Sequence, residues 1–583
     1  CDFARYCSGL DFFALTDHAE ALTTEHWRES VETIRRCNAV AGDADDPDLV
    51  AYIGFEWSQV GRVPEEHYGH KNVIFRDLAD DALPARPISS LGVAANAMQL
   101  PIRAWWLPLV PILELGDHER YLDLAVYFRE NAGVERCPTG VDTRELPADC
   151  REVAATPHEL FEKLDQWGFD ALVIPHGTTW GFYTPPGYTW DKQLAPEQDD
   201  PSQRLLEMYS GHGNSEEYRD QQSVVRSPED PHKLVCPESR PGFEPCCQRA
   251  GALVRARCAD QTSAECAQAV SDAKQNYLEA GMSGHLTLPW AEVSDWGECD
   301  QCTDCFNSAF SSRPGGSAQY ILAKTYFGKS KPDGADAAPK NAQLGFIASS
   351  DNHSAQPGTG YKEFGRKKFT EARGPESAKW RDRLFDGVRS AMEKQLGSVP
   401  TKTSIRLTSE LRAVLPPFAL PHLERQASFF LTGGLVAVHS AGRSRTQIWD
   451  ALERREVYGT SGDRILLWFD LLPQGKESGE ALPMGSASAF SAIPSFRVRA
   501  AGSLEELPGC PDWSKQALGD AELERLCRGE CHNPGSKRKH VREIQIVRIR
   551  PQQRPDEPLR ELIEDPWKRV ACPADRDTCE VSF

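Results

Sequence analysis

No stretch of this chain approaches the roughly 18 consecutive apolar residues that a membrane-spanning helix needs. The most apolar segment, residues 100–115, is interrupted by Arg103 and three prolines and reads as a packed loop. An excess of positive charge is also missing. The formal charge is -20, whereas DNA or RNA binding needs a concentrated basic surface. The basic runs at 366–368 and 537–540 are short, lie beside acidic segments and read as solvated faces. There is no Gly-Lys-Thr phosphate loop, no His-Glu-x-x-His and no Gly-x-Ser-x-Gly elbow. Those absences set aside P-loop nucleotide hydrolysis, zincin chemistry and the serine-elbow hydrolases.

What is present is a soluble-type composition, 40% hydrophobic and 26% charged over 583 residues. That length suits one large elaborated domain or two or three ordinary ones. Eighteen cysteines is heavy usage. A reducing cytosol seldom retains such a set without metal, so the count predicts an exported, periplasmic or extracellular protein. Several cysteines lie close in sequence: Cys1/Cys7, Cys246/Cys247/Cys258/Cys266, Cys527/Cys531 and Cys572/Cys579. Cys1 could be the acylated residue of a lipoprotein. However, what reads as an interior strand begins only nine residues later, so the preferred expectation is a chain that starts inside a domain.

One pattern recurs. A short run of β-favouring residues ends abruptly in chemically capable side chains. Residues 10–15 lead to Thr16-Asp17-His18, and 50–55 lead to Glu56. Residues 68–75 carry His70, and 171–174 lead to Pro175-His176. Residues 205–209 lead to Ser210-Gly211-His212, 344–348 to Asp351-Asn352-His353, and 435–438 to His439. Helical stretches lie between. Residues 24–39 begin at a capping threonine and place Trp27, Val31, Ile34 and Cys37 at helical spacing, and 157–167 follow Thr156 as N-cap and stop at Gly168. A third spans 445–454. Alternating strands and helices predict an α/β fold with a parallel sheet, whose functional side chains gather at the C-terminal strand ends. Residues 77–150 and 214–340 read as insertions, the second holding eight cysteines. The barrel-like part is expected over 1–464 and a smaller β-rich region over 465–583.

Imidazole and carboxylate together suit Zn²⁺, Mn²⁺ or Fe²⁺, and a carboxylate can bridge two ions. His18, Glu56, His70, His176, Asp351 and His353 have that composition. Taken alone, His18 or His176 also fits a hydrogen-bonded core histidine. Glu56 is more telling, because burying a carboxylate behind five apolar residues is costly unless it is paired. Asp351 and His353, two apart at a strand end, would point the same way.

These residues resemble a known superfamily. Leu15-Thr16-Asp17-His18, Gly54-Phe55-Glu56, His70, Pro175-His176 and Ser350-Asp351-Asn352-His353 are similar to the successive motifs of the PHP (polymerase and histidinol phosphatase) metallohydrolases. Gly442 to Arg445, Ile448 to Leu452, Tyr458 to Gly462 and Arg464 resemble the closing motif of PHP proteins similar to carbaryl hydrolase. More narrowly, residues 175–186, 210–216 and 299–305 resemble an uncharacterised bacterial family of unknown function. The resemblance implies a distorted (β/α)7 barrel with up to three divalent metals, phosphoester hydrolysis, and all six residues as metal ligands, with Glu56 as bridge. Asp17 would orient a ligand. The superfamily opens with His-x-His, which is missing upstream of His18, and the narrower family runs past residue 583. Both points imply a chain cut at each end.

The expected activity is therefore a metal-dependent hydrolase, most simply a phosphoesterase acting on a small anionic substrate. The alternatives are hydrolysis of a carboxylic ester, amide or carbamate, and a metal-poor binding or structural protein on the same scaffold. His212 is a candidate proton donor. Arg443, Arg445 and Arg464 are candidate anion binders, and Trp180, Tyr183 and Trp190 could line a pocket mouth. Ordinary ion pairing explains each arginine alone equally well, and aromatic packing is the simpler explanation of Trp180, Tyr183 and Trp190. Cys299, Cys302 and Cys305 have zinc-like spacing without a fourth ligand, so disulfides are preferred there.

Overall fold

A computed structural model of the chain describes residues 1–99, 118–177, 184–279, 314–328, 339–358, 378–397 and 433–583. Positions 62, 93–94, 96–97, 186, 212, 221, 223, 231–232, 242 and 474–480 are excepted, and 112, 115, 285–287, 404–406 and 410–411 are added. His212, Trp180, Tyr183, Cys299, Cys302, Cys305 and positions 329–338 lie outside the described residues.

The strands follow the apolar runs closely. β1 is Phe12–His18, followed by α1 (Thr24–Ala39), β2 (Val50–Gln59) and β3 (Gly69–Phe75). α2 (Pro157–Trp167) and β4 (Ala171–His176) come after the first insertion. These four strands form one sheet in the order β1-β2-β3-β4. β1 and β2 are parallel, pairing Phe12 with Val50 through His18 with Glu56. β3 departs from the expected parallel arrangement and runs antiparallel to both β2 and β4. The reason is the connection. Only residues 60–68 join β2 to β3, and no helix of the length a parallel crossover needs is present there. Gly54 is required at this junction, since a Cβ there would lie 2.1 Å from the Val73 carbonyl oxygen.

Period-two alternation divides the sheet into two faces. Ala51, Ile53, Phe55, Trp57, Val73 and Phe75 pack against Trp27, Val31 and Ile34 of α1 and Leu160, Phe161 and Leu164 of α2. Val50, Tyr52, Leu172 and Ile174 face the other way, toward Leu205, Ile347, Ile448, Trp449 and Val457. Glu56 and Ser58 of β2 continue the Val50-Tyr52 parity, and His176 continues that of Leu172 and Ile174. His18 follows Phe12 and Ala14 on the same inner face. That parity is what brings distant residues to one place.

β5 (Leu205–Ser210) pairs in parallel with β6 (Gly345–Ala348), and β7 (Leu435–Val438) pairs antiparallel with β8 (Val457–Thr460) on either side of α3 (Arg445–Glu453). β4 lies beside β5, and β6 beside β8. Among the described residues the hydrogen-bonded ladders do not join into a closed ring. The caps agree with the sequence in α2, where the Thr156 hydroxyl accepts from Glu159 N at 3.2 Å and Gly168 closes the helix at φ 71°. At α1 the cap is Thr23, one residue before the predicted start, and His26 returns the bond to it. In the insertions, helices span His118–Ala132, Cys246–Arg257 and Ala264–Glu279.

Beyond residue 465, β9 (Leu466–Leu472), β10 (Ser495–Ala501) and a last strand, Thr578–Ser582, form an antiparallel sheet, and Glu543–Ile549 pairs with Ile563–Ala571. The helix α4 (Asp512–Cys527) was not expected in this β-rich region. Gly519 kinks it, and few of its residues are buried, so its amphipathic signal is weak.

Seven disulfides are present among the described residues: Cys1–Cys37, Cys7–Cys527, Cys137–Cys150, Cys236–Cys247, Cys258–Cys266, Cys510–Cys531 and Cys572–Cys579. Sequence neighbours Cys1 and Cys7 are not bonded to each other, nor are Cys527 and Cys531. Cys7 instead sits in a helical turn packed on α4 and reaches across it. Non-reducing peptide mapping should recover a Cys7–Cys527 cross-linked peptide. Replacing Cys7 with Ala should lower unfolding free energy by roughly 2–5 kcal/mol in a denaturant titration. An unlinked Cys7 in the native protein would refute the pairing.

Candidate metal centre

Ligand-type side chains converge at the edge of the sheet where β1, β2 and β4 end and β3 begins. The antiparallel direction of β3 puts His70, near its start, opposite Ser58 of β2 and His176 of β4. Taking one ligand atom from each residue, His18, Glu56 and His353 lie within 4.8 Å of one another, and so do Glu56, His70 and His176. Glu56 belongs to both groups.

The spacings fit divalent ions. Ligand atoms held about 2.0–2.1 Å from a tetrahedral ion sit roughly 3.3–3.4 Å from each other. His18 Nε2 and His353 Nε2 are 3.2 Å apart, and His176 Nε2 lies 3.4 Å from Glu56 Oε1. Glu56 also contacts His70 Nδ1 and stands 3.5 Å from His18 Nδ1. His70, His176 and Glu56 are buried, while His353 is exposed at the rim.

The charges are arranged for cations. Burial drives the Glu56 carboxyl upward, but His18 and His176 outweigh it and hold the group well below the usual carboxylate range. Burial lowers the His176 imidazole, yet Glu56 and Glu207 reverse that and push it up to about 10. Glu207, on β5, is buried and pushed up to about 7, with Asp351 adding to the effect and His176 opposing it. Among the described residues no lysine or arginine pairs with Glu20, Glu56 or Glu207 within 4.0 Å. Burial pushes Glu20 and Glu207 toward their neutral forms, whereas Glu56 stays ionised and draws its compensating charge from protonated histidine or from bound cations.

Asp351 and His353 arrive differently from the expectation. β6 ends at Ala348, and Asp351 adopts a left-handed backbone with φ 47°. The two are therefore not alternate residues of a strand, although the turn still leaves His353 Nδ1 3.7 Å from Asp351 Oδ1. His353 joins the first group, turning Nδ1 to the Asp351 carbonyl at 3.1 Å. The Asp351 carboxylate raises both His176 and Glu207, so its charge acts on the second group.

Asp17 has opposite parity to His18, yet both line a cavity of about 480 Å³ together with Leu15, Leu22, Glu29 and Tyr127. Burial raises its carboxyl, Glu56 adds to the rise and His353 opposes it. Arg443 binds the Pro47 and Asp48 carbonyls and the Asp11 carboxylate at 3.0 Å. Arg464 binds the Ser8 and Gly9 carbonyls, and Arg445 binds Asn38 and the Ala51 carbonyl over the Tyr52 ring. These guanidinium groups brace backbone rather than gather at the cluster. Trp190 is fully buried in a separate core.

Sequence reading passed over Ser58, Glu20, Asn72 and Glu207. Ser58 Oγ lies 2.8 Å from Glu56, 2.9 Å from His18 Nδ1 and 3.1 Å from His70 Nδ1. Asn72 Nδ2 lies 3.4 Å from His176 Nδ1. The available signal was parity: Ser58 and Asn72 stand two residues from Glu56 and His70 on the same strands, and Glu207 interrupts an apolar run.

Residues 335–470 match a family model described as protein of unknown function (DUF3604), a span holding Asp351, His353 and the β7-α3-β8 unit. No curated protein and no solved structure matches the chain.

Zn²⁺ or Mn²⁺ entering the second group must displace the proton that Glu56 and Glu207 hold on His176. Because that imidazole is raised to about 10, binding at lower pH should release about one proton per ion. Apparent affinity should then fall roughly tenfold for each pH unit of acidification. Calorimetric titration in buffers of different ionisation enthalpy counts the protons, and zero release would place the ion away from His176.

Proposed function

We propose that this chain is a metal-dependent hydrolase, with two or three Zn²⁺, Mn²⁺ or Fe²⁺ ions held by His18, Glu56, His70, His176, Asp351 and His353. The observation that carries the reading is the position of Glu56, a buried carboxylate shared by two histidine groups at ligand spacing. The motif resemblance to PHP metallohydrolases points the same way, and with it goes a distorted (β/α)7 barrel as the intact scaffold. Seven disulfides support export to an oxidising compartment. Among the described residues, no helix is long and apolar enough to cross a membrane.

Bound divalent ions would supply Lewis acidity, lowering the pKa of water and neutralising charge that develops on a reacting phosphoryl oxygen. The protein's own groups do the rest. Glu56 holds the two groups at a fixed separation, and burial of His70 and His176 keeps water from competing for them. His353 stands at the exposed rim, the side from which a substrate arrives. Glu207, buried and near neutrality in its titration, can hold or release a proton beside His176. A small phosphoester is the preferred substrate class, because clustered cations in a carboxylate-rich hollow favour a compact anion.

Metal analysis of the purified chain, with phosphomonoesters, phosphodiesters and carboxylic esters assayed under Mn²⁺ or Zn²⁺, tests this. Wild type should carry at least two ions per chain. Glu56→Gln should lose metal from both groups and lower hydrolysis by more than the roughly 10–100-fold typical of an outer-sphere change. Turnover of carboxylic esters alone would move the substrate class. Metal-free wild type under saturating Zn²⁺ would favour a binding or structural protein.

A further inference from the structure

Ser58 is fully buried, and its hydroxyl is surrounded on three sides. Glu56 Oε1 lies at 2.8 Å, His18 Nδ1 at 2.9 Å and His70 Nδ1 at 3.1 Å. A serine hydroxyl has one proton to donate and two lone pairs to accept with. An ionised carboxylate can only accept, so the Ser58 proton goes to Glu56. The remaining contact at 2.9 Å then needs a proton from His18 Nδ1, and the lone pair of His18 is left on Nε2. That nitrogen faces His353 Nε2 at 3.2 Å, the spacing of two ligands on one ion.

The backbone around Ser58 is held equally firmly. Its N–H donates to Glu20 Oε1 at 3.2 Å, and its carbonyl accepts from the Ser90 hydroxyl at 2.7 Å. Glu20 Oε1 accepts also from Ser90 N at 2.7 Å. Glu20 is completely buried, and its second oxygen, Oε2, has no hydrogen-bond partner and lies 3.8 Å from His18 Nδ1.

We infer that Ser58, clamped by Glu20 and Ser90, is a positioning residue that fixes His18 as the Nδ1–H tautomer and so presents Nε2 to a cation shared with His353. The inference rests on the metallohydrolase reading for its purpose, but the tautomer itself belongs to the metal-free protein. No substrate contact is assigned to Ser58 or Glu20.

The test uses the full chain labelled with ¹⁵N-histidine, with His18 assigned by His18→Gln. Two-bond ¹⁵N–¹H correlations on the metal-free protein should show His18 protonated at Nδ1. In Ser58→Ala that signature should be lost or averaged, and Zn²⁺ affinity in a chelator competition should weaken roughly 10–100-fold. Ser58→Thr, which keeps the hydroxyl, should restore both, and unchanged thermal unfolding of Ser58→Ala separates positioning from folding. His18 protonated at Nε2 in wild type, or wild-type Zn²⁺ affinity in Ser58→Ala, would overturn the inference. Wild type that shows the Nδ1–H signature yet binds no metal would instead overturn the hydrolase reading and leave the tautomer assignment standing.

Discussion

A carboxylate buried at the end of an apolar strand cannot stay ionised without compensation, and Glu56 is such a carboxylate. Much of the candidate centre follows from supplying that compensation. Histidines approach from β1, β3 and β4 and from the turn after β6, while the arginines of the neighbouring elements are spent on backbone carbonyls. Histidine differs from arginine in one respect that matters here. It can give up its proton to a cation that takes over the same charge, so the pocket remains balanced whether it holds protons or metal. Arginine at these positions would neutralise Glu56 permanently and close the site to cations.

The centre is also held from outside. Ser8 and Gly9, just before β1, are gripped by Arg464, and Cys7 is bonded to Cys527 of α4. The Ser8 hydroxyl contacts the carbonyl of Pro357, in the same turn that carries Asp351 and His353. The C-terminal region thus bears on the start of β1 through the Cys7–Cys527 bond, and Ser8 joins that segment to the 351–358 turn. A β-rich region that contributes no ligand among the described residues still bears on the geometry of the cluster.

Most of this was legible where the signal was local. Apolar runs ending in His18, Glu56 and His176 marked β1, β2 and β4 to within a few residues, and Thr156 and Gly168 bounded α2. Direction was not legible. Nothing in residues 68–75 states that β3 runs antiparallel, because direction is set by the connection and by the neighbours it finds. Asp351 and His353 are brought near each other by a left-handed turn at Asp351 and not by the continuing strand that their spacing suggests. Ser58 and Glu20 were invisible for another reason. A serine and a glutamate are ordinary residues in a list of composition, and their importance lies in hydrogen bonds made across 40 and 38 positions of sequence. Arg443 and Arg464 show the converse, since an arginine near a motif reads as an anion binder while its backbone carbonyl partners are invisible in the sequence.

The same carboxylates set an order of events for the proposed hydrolase. Glu56, held ionised by His18 and His176, and the neighbouring charge of Asp351 repel a phosphate at this edge of the sheet, while burial pushes Glu207 and Glu20 toward their neutral forms. At 4 Å each like-charge pair costs about 4 kcal/mol at an effective dielectric near 20. A proton on His176 offsets only part of that. An anionic substrate therefore has no favourable site until divalent charge has entered, and cation binding must precede substrate binding. Such ordering places the selectivity for anions in the metals rather than in fixed basic side chains. It explains how a chain of net charge -20, whose Arg443, Arg445 and Arg464 are engaged by backbone carbonyls and neighbouring side chains, could still act on a phosphoester.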